Sequence, residues 1–433
     1  MRNSHNVVIV IANHSVDLFG VTPRNVSRDD GPFLIETSYK KVDGTLKKRP
    51  AIAVVITVVA LIVGSLVVTS SLNSSRSLRS LRSPADLTVN LISLPSSPNP
   101  SFAPTSTTIL PSAALVTKPW HVGMLQLGIN VLWYVSSPTE PLAQVAKQAA
   151  ASMNYIVSED ANSVNINFPF YAKGPASNLL YAGSGTPTPA QVAVVVEVAH
   201  KSGLRVTLRP LMDQTTMGAG WRGNIHPIDL NDWFGSYERF LKPYLVVAQD
   251  TGVSTFILGA EFNSLAADPQ WSSLVNQANA VFHGQTAYSV NWDVFHSTSP
   301  DPPVDSLGVD AYDPVSVGPT ASIKQLEDGI NQWWATLPSR IIQSNTVIDE
   351  LGIPAQNNAY LEPFAAQLPN EPLNLQIQFN WFTAYCQVIQ ARHLAGVYFW
   401  DLIFGENSNT VTQMMSFIGR PGARAIKSCF EKF

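Results

Sequence analysis

Eight short apolar runs alternate with amphipathic segments of helical spacing between residues 117 and 433. Strands that alternate with helices form a parallel sheet, because each helix returns the chain to the start of the next strand. The predicted strands are Leu125–Leu132, Ser163–Phe168, Arg205–Leu211, Thr255–Ala260, Thr286–Val290, Ser306–Ala311, Thr346–Asp349 and Gly396–Trp400. The predicted helices are Pro141–Ser152, Pro189–Ser202, Leu230–Asp250, Pro269–Phe282, Ser322–Leu337, Leu375–His393 and Ala423–Phe433.

Eight strand-helix units within residues 117–433 predict an α/β fold, a (β/α)8 TIM barrel with long loops. A doubly wound open sheet is the alternative, since the number of strands is compatible with both architectures. No GxGxxG motif follows the first strand and no GxxxxGK[ST] motif occurs in the chain. A first strand without GxGxxG and a chain without GxxxxGK[ST] disfavour a nucleotide-binding open sheet.

An uncharged apolar stretch, Ala51–Val68, precedes the barrel. As a helix it would be about 27 Å long, close to the roughly 30 Å hydrocarbon layer of a bilayer. We therefore predict a single transmembrane helix at residues 51–71, with the lipid bilayer as its partner. A buried core helix is the alternative, but Lys47-Lys48-Arg49-Pro50 before the stretch and a Ser/Asn-rich segment after it argue against a core position.

Positive charges predict the orientation of this helix. Five Lys and Arg residues lie between positions 40 and 49, and three Arg residues lie between positions 76 and 82. This bias predicts a cytoplasmic tail at residues 1–50 and an anchored cell-membrane protein with its barrel outside the cytoplasm. The Ser/Pro-rich residues 72–116 are predicted to form a disordered linker.

The composition excludes several functions. Charged residues make up 13% of the chain and the net charge is −4, so no basic face for nucleic acid is expected. Cys386 and Cys429 are too few for a disulfide scaffold and lack the spacing of a zinc site. They fall in neighbouring predicted helices, and both a disulfide and two free buried cysteines stay open. We expect no metal and no cofactor.

Aromatic and polar residues cluster where the predicted strands end. In a barrel, the carboxyl ends of the strands form one rim, and active sites lie there. Rings bind the apolar faces of sugars, and carboxylates and amides bind the hydroxyl groups, so this rim predicts a sugar-binding cleft. The candidate substrate-binding residues are Trp133, Arg209, Trp221, Asn263, Asn291, Trp292, Tyr312 and Trp400.

Two glutamates on this rim are the candidate catalytic residues. Glu261 follows the fourth strand in GAEFNS, and Glu350 ends the seventh strand in DELG, across the barrel mouth. Cleavage of a glycosidic bond commonly needs two carboxyl groups, one to protonate the leaving oxygen and one to attack the anomeric carbon or activate water. Asp349 is the rival nucleophile, but side chains alternate along a strand, so only one of Asp349 and Glu350 is expected in the cleft.

Four motifs in order between Gly128 and Trp400, namely GAEF, GVDAY, ELG and YFW, resemble those of clan A glycoside hydrolases, most of all the family 113 β-mannanases. The resemblance implies a retaining mechanism with Glu261 as acid/base and Glu350 as nucleophile. It also implies that Tyr312 hydrogen-bonds the nucleophile and that Trp400 forms a platform under the sugar.

The resemblance also places Asn291 and Trp292 at substrate-contacting positions of the clan. Ala260 departs from the pattern, since many clan members have Asn directly before the acid/base, where it contacts the sugar 2-hydroxyl. We therefore predict a retaining endo-acting hydrolase of a β-linked polysaccharide, β-1,4-mannan or a related hexose polymer. The alternatives are a non-catalytic glycan-binding barrel at the cell surface and a transglycosylase that uses the same residues.

Overall fold

Eight parallel strands close into a ring in the computed structural model, which describes residues 111–218, 220–339, 341–405 and 413–433. The strands are β1 (Gln126–Leu132), β2 (Ser163–Ala172), β3 (Arg205–Met212), β4 (Thr255–Ala260), β5 (Gln285–Asn291), β6 (Ser306–Asp310), β7 (Val347–Leu351) and β8 (Gly396–Ile403). Each strand pairs with the next, and β8 pairs with β1. This closure confirms the predicted TIM barrel and excludes the open sheet.

Among the described residues, seven α-helices follow the barrel strands. They are α1 (Leu142–Ser158), α2 (Pro189–Lys201), α3 (Leu230–Thr251), α4 (Gln270–Asn279), α5 (Ile323–Ala335), α6 (Leu375–Arg392) and α7 (Pro421–Phe430). The connection from β5 to β6, residues 292–305, contains no helix, so seven of the eight strands are followed by a helix. A two-residue strand, Leu180–Tyr181, extends the end of β2 as an antiparallel pair.

Local signals explain where the helices begin and end. Thr188 caps α2 by accepting a hydrogen bond from the Gln191 backbone, and the Gln191 side chain accepts one from the Thr188 backbone. Helix α1 continues six residues past its predicted end at Ser152, because Met153 and Ile156 extend its buried apolar face.

Part of the predicted linker packs against the barrel. The Val116 amide donates to the Ser202 carbonyl at 2.9 Å, and the Val116 side chain is buried. The structured unit therefore begins before residue 117. The predicted tail, transmembrane helix and remaining linker, residues 1–110, lie outside the described residues. Within the described ranges, no helix combines the length and apolar character needed to cross a membrane.

The barrel interior below the rim is polar. The Asn130 side-chain oxygen accepts from Asn165 at 2.8 Å and from Asn167 at 3.0 Å, and its nitrogen donates to two strand carbonyls. Buried amides destabilise a core unless they are hydrogen-bonded, and here each one contributes to a shared network. This asparagine cluster forms the polar floor of the barrel, directly below the charged residues of the rim.

Cys386 of α6 and Cys429 of α7 form a disulfide, which decides between the two alternatives left by the sequence. The bond joins two buried cysteines separated by 43 residues. It links the last helix of the barrel to the one before it.

Loss of this disulfide should destabilise the barrel without changing its site. Cross-linking a loop of this length stabilises a fold by about 2–4 kcal/mol, mainly by limiting the unfolded chain. We expect the Cys386→Ser/Cys429→Ser double variant to unfold at a lower temperature than the oxidised wild type, as measured by circular dichroism. Reductant should lower the wild-type Tm and leave that of the variant unchanged; equal Tm values for oxidised wild type and variant would contradict this expectation.

Candidate active site

A cleft of about 480 Å³ lies at the carboxyl ends of the strands. Its lining is mostly aromatic and polar, and it comes from both the strand ends and the loops that follow them. The lining residues are Leu211, Gln214, Trp221, Arg222, Glu261, Asn291, Trp292, Asp293, Tyr312, Glu350, Phe364, Ala366, Trp400 and Met415. Seven of the predicted site residues are therefore together: Trp221, Glu261, Asn291, Trp292, Tyr312, Glu350 and Trp400.

Glu350 is held at the end of β7 by two donors. One carboxylate oxygen accepts from Arg209, and the other accepts from the Tyr312 hydroxyl at 2.6 Å. Hydrogen bonds to an ionised group are among the stronger ones in proteins. The two contacts fix the orientation of the carboxylate and stabilise its negative charge.

Arg209 lies beneath the cleft and not in its lining. Its guanidinium is completely buried and bridges Glu350 to Asp310, with 2.6 Å between Nη2 and the Asp310 carboxylate. Burial opposes the charge, but Asp310, Glu350 and Asp349 raise the pKa of Arg209. Arg209 was predicted to bind substrate. In the structure it instead supplies a permanent positive charge to Glu350 from below.

Asp349 also turns away from the cleft. Its carboxylate accepts from the Ser289 hydroxyl at 2.7 Å, and burial raises its pKa to about 6. A Cβ at Gly308 would overlap this carboxylate, so the glycine makes room for it. A shift in strand register between Ile348 and Leu351 interrupts simple alternation, and of the two acids only Glu350 lines the cleft.

Glu261 follows β4 in a left-handed backbone conformation with a φ of 57°. Its amide donates to the Ser289 carbonyl at 2.9 Å, and its carboxylate lies 3.7 Å from Nε of Arg222. Burial raises the pKa of Glu261 and Glu350 raises it further, while Arg222, Arg209 and a hydrogen bond from Trp221 lower it; the net shift is upward. Glu261 therefore keeps its proton to a higher pH than an exposed glutamate.

Aromatic side chains form the cleft walls. The ring of Trp292 stacks on Phe364 with centroids 5.9 Å apart and planes 10° apart, and Phe364 is 50% exposed. Trp400 and Tyr312 both pack close to Gly352, which lies between them. These rings offer flat apolar surfaces of the kind that pack against sugar rings.

Besides Arg209, two predicted residues lie outside the lining, Trp133 and Asn263. Trp133 is 1% exposed and packs on Phe404 at 4.7 Å, which leaves no ring face for a ligand. The next residue, Tyr134, is half-exposed and its hydroxyl donates to Asp213 at 2.7 Å. The Asn263 amide donates to Asp293 at 3.0 Å, and Asn291 donates to the same oxygen at 2.8 Å, so Asn263 contacts the lining residue Asp293.

Several lining residues were not among the sequence candidates. Arg222, Gln214, Phe364 and Met415 all lie in loops, where the sequence carries no periodic signal for their position. A second cavity of about 200 Å³, which includes Tyr134 and Asp213, shares Leu211, Gln214 and Arg222 with the cleft. The second cavity therefore adjoins the cleft at Arg222.

The arrangement places two carboxyl groups in one cleft with different surroundings. One accepts from two donors, of which Arg209 is a permanent cation, and the other is buried with a raised pKa. Cleavage of a glycosidic bond commonly requires a proton donor and a carboxylate on either side of that bond. In the part of the chain that the structure describes, no group of three His, Cys, Asp or Glu residues is placed to hold a metal ion.

Comparison with known families gives a match over residues 141–410, more than half of the chain, to the model of Glycoside Hydrolase Family 113. The chain belongs to glycoside hydrolase family 113. It is therefore a glycoside hydrolase, and the family agrees with the resemblance that its strand-end motifs predicted.

Solved structures of family 113 enzymes share the fold of this family 113 chain. A GH113 β-1,4-mannanase matches with a TM-score of 0.62 and 17% identity, over 72% of this chain and 100% of that one. A GH113 β-mannanase from Alicyclobacillus acidocaldarius matches with a TM-score of 0.58 and 19% identity, over 71% of this chain and 98% of that one. No curated protein matches the sequence.

Proposed function

We propose that this family 113 enzyme is a retaining, endo-acting hydrolase of β-linked polysaccharides, with Glu261 as acid/base and Glu350 as nucleophile. The observation that carries the proposal is the difference between two carboxyl groups that line one cleft. Arg209 and Tyr312 donate to Glu350, whereas burial raises the pKa of Glu261. This difference suits one group to attack and the other to donate a proton.

In the first step, Glu261 donates its proton to the glycosidic oxygen, the bond from that oxygen to the anomeric carbon breaks, and Glu350 bonds to that carbon. The charge of Glu350 is lost as the ester forms. In the second step, the Glu261 carboxylate takes a proton from water, the water oxygen attacks the anomeric carbon, and Glu350 leaves as a carboxylate. Two inversions at one carbon retain its configuration.

The substrate that we propose is β-1,4-mannan or a related hexose polymer. Solved family 113 structures of the same fold are those of β-mannanases. A polymer is favoured because ring and polar surfaces extend beyond the two glutamates: Trp292 and Phe364 form a wall of the cleft, and a second cavity adjoins it at Arg222. We propose that these surfaces bind sugar units on both sides of the cleavage point, which favours cleavage of internal bonds over chain ends.

The test is to incubate the enzyme with mannan, glucan, xylan and galactan and to follow the products. We expect short oligosaccharides from mannan early in the reaction, with the first-formed product in the β-configuration by proton NMR. Inverted product would contradict the retaining mechanism. Tight binding to one polymer without cleavage of any would favour a glycan-binding barrel, and products longer than the substrate would favour transglycosylation.

We also propose that residues 51–71 anchor the enzyme in the cell membrane, with the barrel outside the cytoplasm. The proposal rests on the uncharged apolar stretch Ala51–Val68 and on the positive charges before it. After expression of the full chain, we expect it to stay in the membrane fraction through alkaline carbonate extraction, and a chain without residues 51–71 to be released. Release of the full chain would contradict the anchor.

A further inference from the structure

Arg222 belongs to a loop that is tied to the loop carrying Glu261. Arg222 begins a short 3-10 turn, Arg222–Asn224, between β3 and α3. Ser264, three residues after Glu261, donates its amide to the Gly223 carbonyl at 3.0 Å and its hydroxyl to the Ile225 carbonyl at 2.6 Å. These two hydrogen bonds fix the backbone around Arg222 relative to that around Glu261.

The guanidinium of Arg222 faces the carboxylate of Glu261 in a largely dry setting. Nε lies 3.7 Å from Oε2, and the two side chains are only 12% and 11% exposed. In the described part of the chain, this Nε has no hydrogen-bond partner. Screening by water is weak in such a place, so the charge of Arg222 acts strongly on the protonation of Glu261.

Other charged and titratable groups also face Glu261. The cations are Arg222 and Arg209, the acids are Glu350, Asp310 and the cleft-lining Asp293, and the phenols are Tyr312 and Tyr288. Arg209 forms ion pairs with Asp310 and Glu350. Arg222, in contrast, forms its ion pair with Glu261. Among the described residues, Arg222 is thus the cation that forms an ion pair with Glu261.

We propose that Arg222 is a positioning residue that stabilises the carboxylate of Glu261 once its proton has been donated, and so makes it the base of the second step. This inference rests on the proposed function. Formation of the glycosyl ester removes the negative charge of Glu350, which in the free enzyme disfavours an ionised Glu261. Arg222 keeps its positive charge. The charges around Glu261 then favour its ionised form, which the second step requires.

The pH dependence tests the inference. In the free enzyme Glu261 must be protonated, so kcat/KM on mannan falls as the pH rises through the pKa of Glu261. Arg222→Met removes the cation that lowers this pKa. The alkaline limb of the plot of kcat/KM against pH should therefore shift to higher pH by about one unit. Arg222→Lys keeps the charge and should leave the limb near its wild-type position. Arg222→Gln serves as a second neutral variant if Arg222→Met unfolds.

The second readout separates the two steps. An aryl glycoside with an activated leaving group needs little general acid catalysis by Glu261 in the first step. Arg222→Met should then keep a burst of aryl alcohol while kcat falls about tenfold, because breakdown of the glycosyl-enzyme depends on the Glu261 carboxylate.

An unmoved alkaline limb in folded Arg222→Met, or an Arg222→Lys profile equal to that of Arg222→Met, would overturn the role of Arg222. Failure of the proposed function gives a different result, namely wild-type activity in Glu261→Gln. A required Glu261 together with an unmoved limb would reject the Arg222 inference alone.

Discussion

Glu350→Gln should lower kcat/KM on mannan by about 10⁴-fold or more while the variant still binds the polymer. Removal of an enzyme nucleophile has effects of this order, because the covalent step is lost. Glutamine keeps the size of the side chain, and its amide oxygen can still accept from one of the two donors to Glu350, Arg209 or Tyr312. It lacks the negative charge that bonds to the anomeric carbon.

Turnover should be measured by release of reducing ends, and binding by affinity electrophoresis in gels that contain mannan. Glu431→Gln is the matched control, since Glu431 is exposed near the end of the chain, and it should keep wild-type activity. Activity of Glu350→Gln within tenfold of wild type would remove Glu350 from the mechanism.

Glu261→Ala should lower hydrolysis of mannan by about 10²–10⁴-fold, with an effect that depends on the leaving group. A sugar alkoxide needs a proton to leave, whereas an activated phenolate leaves without one. On an activated aryl glycoside, the first step should therefore survive and the glycosyl-enzyme should accumulate. Water then lacks its base, and the second step becomes slow.

Azide should restore turnover of Glu261→Ala on the activated substrate. The small anion fits the space that the carboxylate leaves and attacks the anomeric carbon without a base, which displaces Glu350 and gives the β-glycosyl azide. Glu261→Gln fills that space and should be rescued less, which makes it the control. Equal losses on both substrates, with no azide product, would show that Glu261 does not act as acid/base.

The strand-helix pattern predicted most of the barrel, and the errors lie at element ends. The bounds of β4, Thr255–Ala260, are the same in prediction and structure. Strand β2 continues to Ala172, four residues past its predicted end. It does so although Pro169 has no amide hydrogen to donate and proline commonly ends a strand. It continues because Phe168 and Phe170 stay paired in register with β3 and bury their rings against α3.

The polar floor of the barrel was not predictable from local pattern. Asn130, Asn165 and Asn167 are poor strand formers by propensity, and the sequence does not reveal their partners. In the closed ring they bond one another across β1 and β2, and Asn167 accepts from Arg209 at 3.3 Å. Burial is tolerated because the network satisfies most of their polar atoms.

The barrel and its rim follow from the order of residues along the chain. Strand and helix periodicity is a local property, and the carboxyl ends of parallel strands meet at one face of any such ring, so Glu261 and Glu350 were placed on that face. The charged neighbours of each glutamate, in contrast, follow from the folded barrel and not from the sequence. Arg209 reaches Glu350 across 141 positions, and Arg222 reaches Glu261 from a loop. Protonation depends on burial and on charges a few ångströms away, and those distances exist only once the ring has closed and its loops have packed.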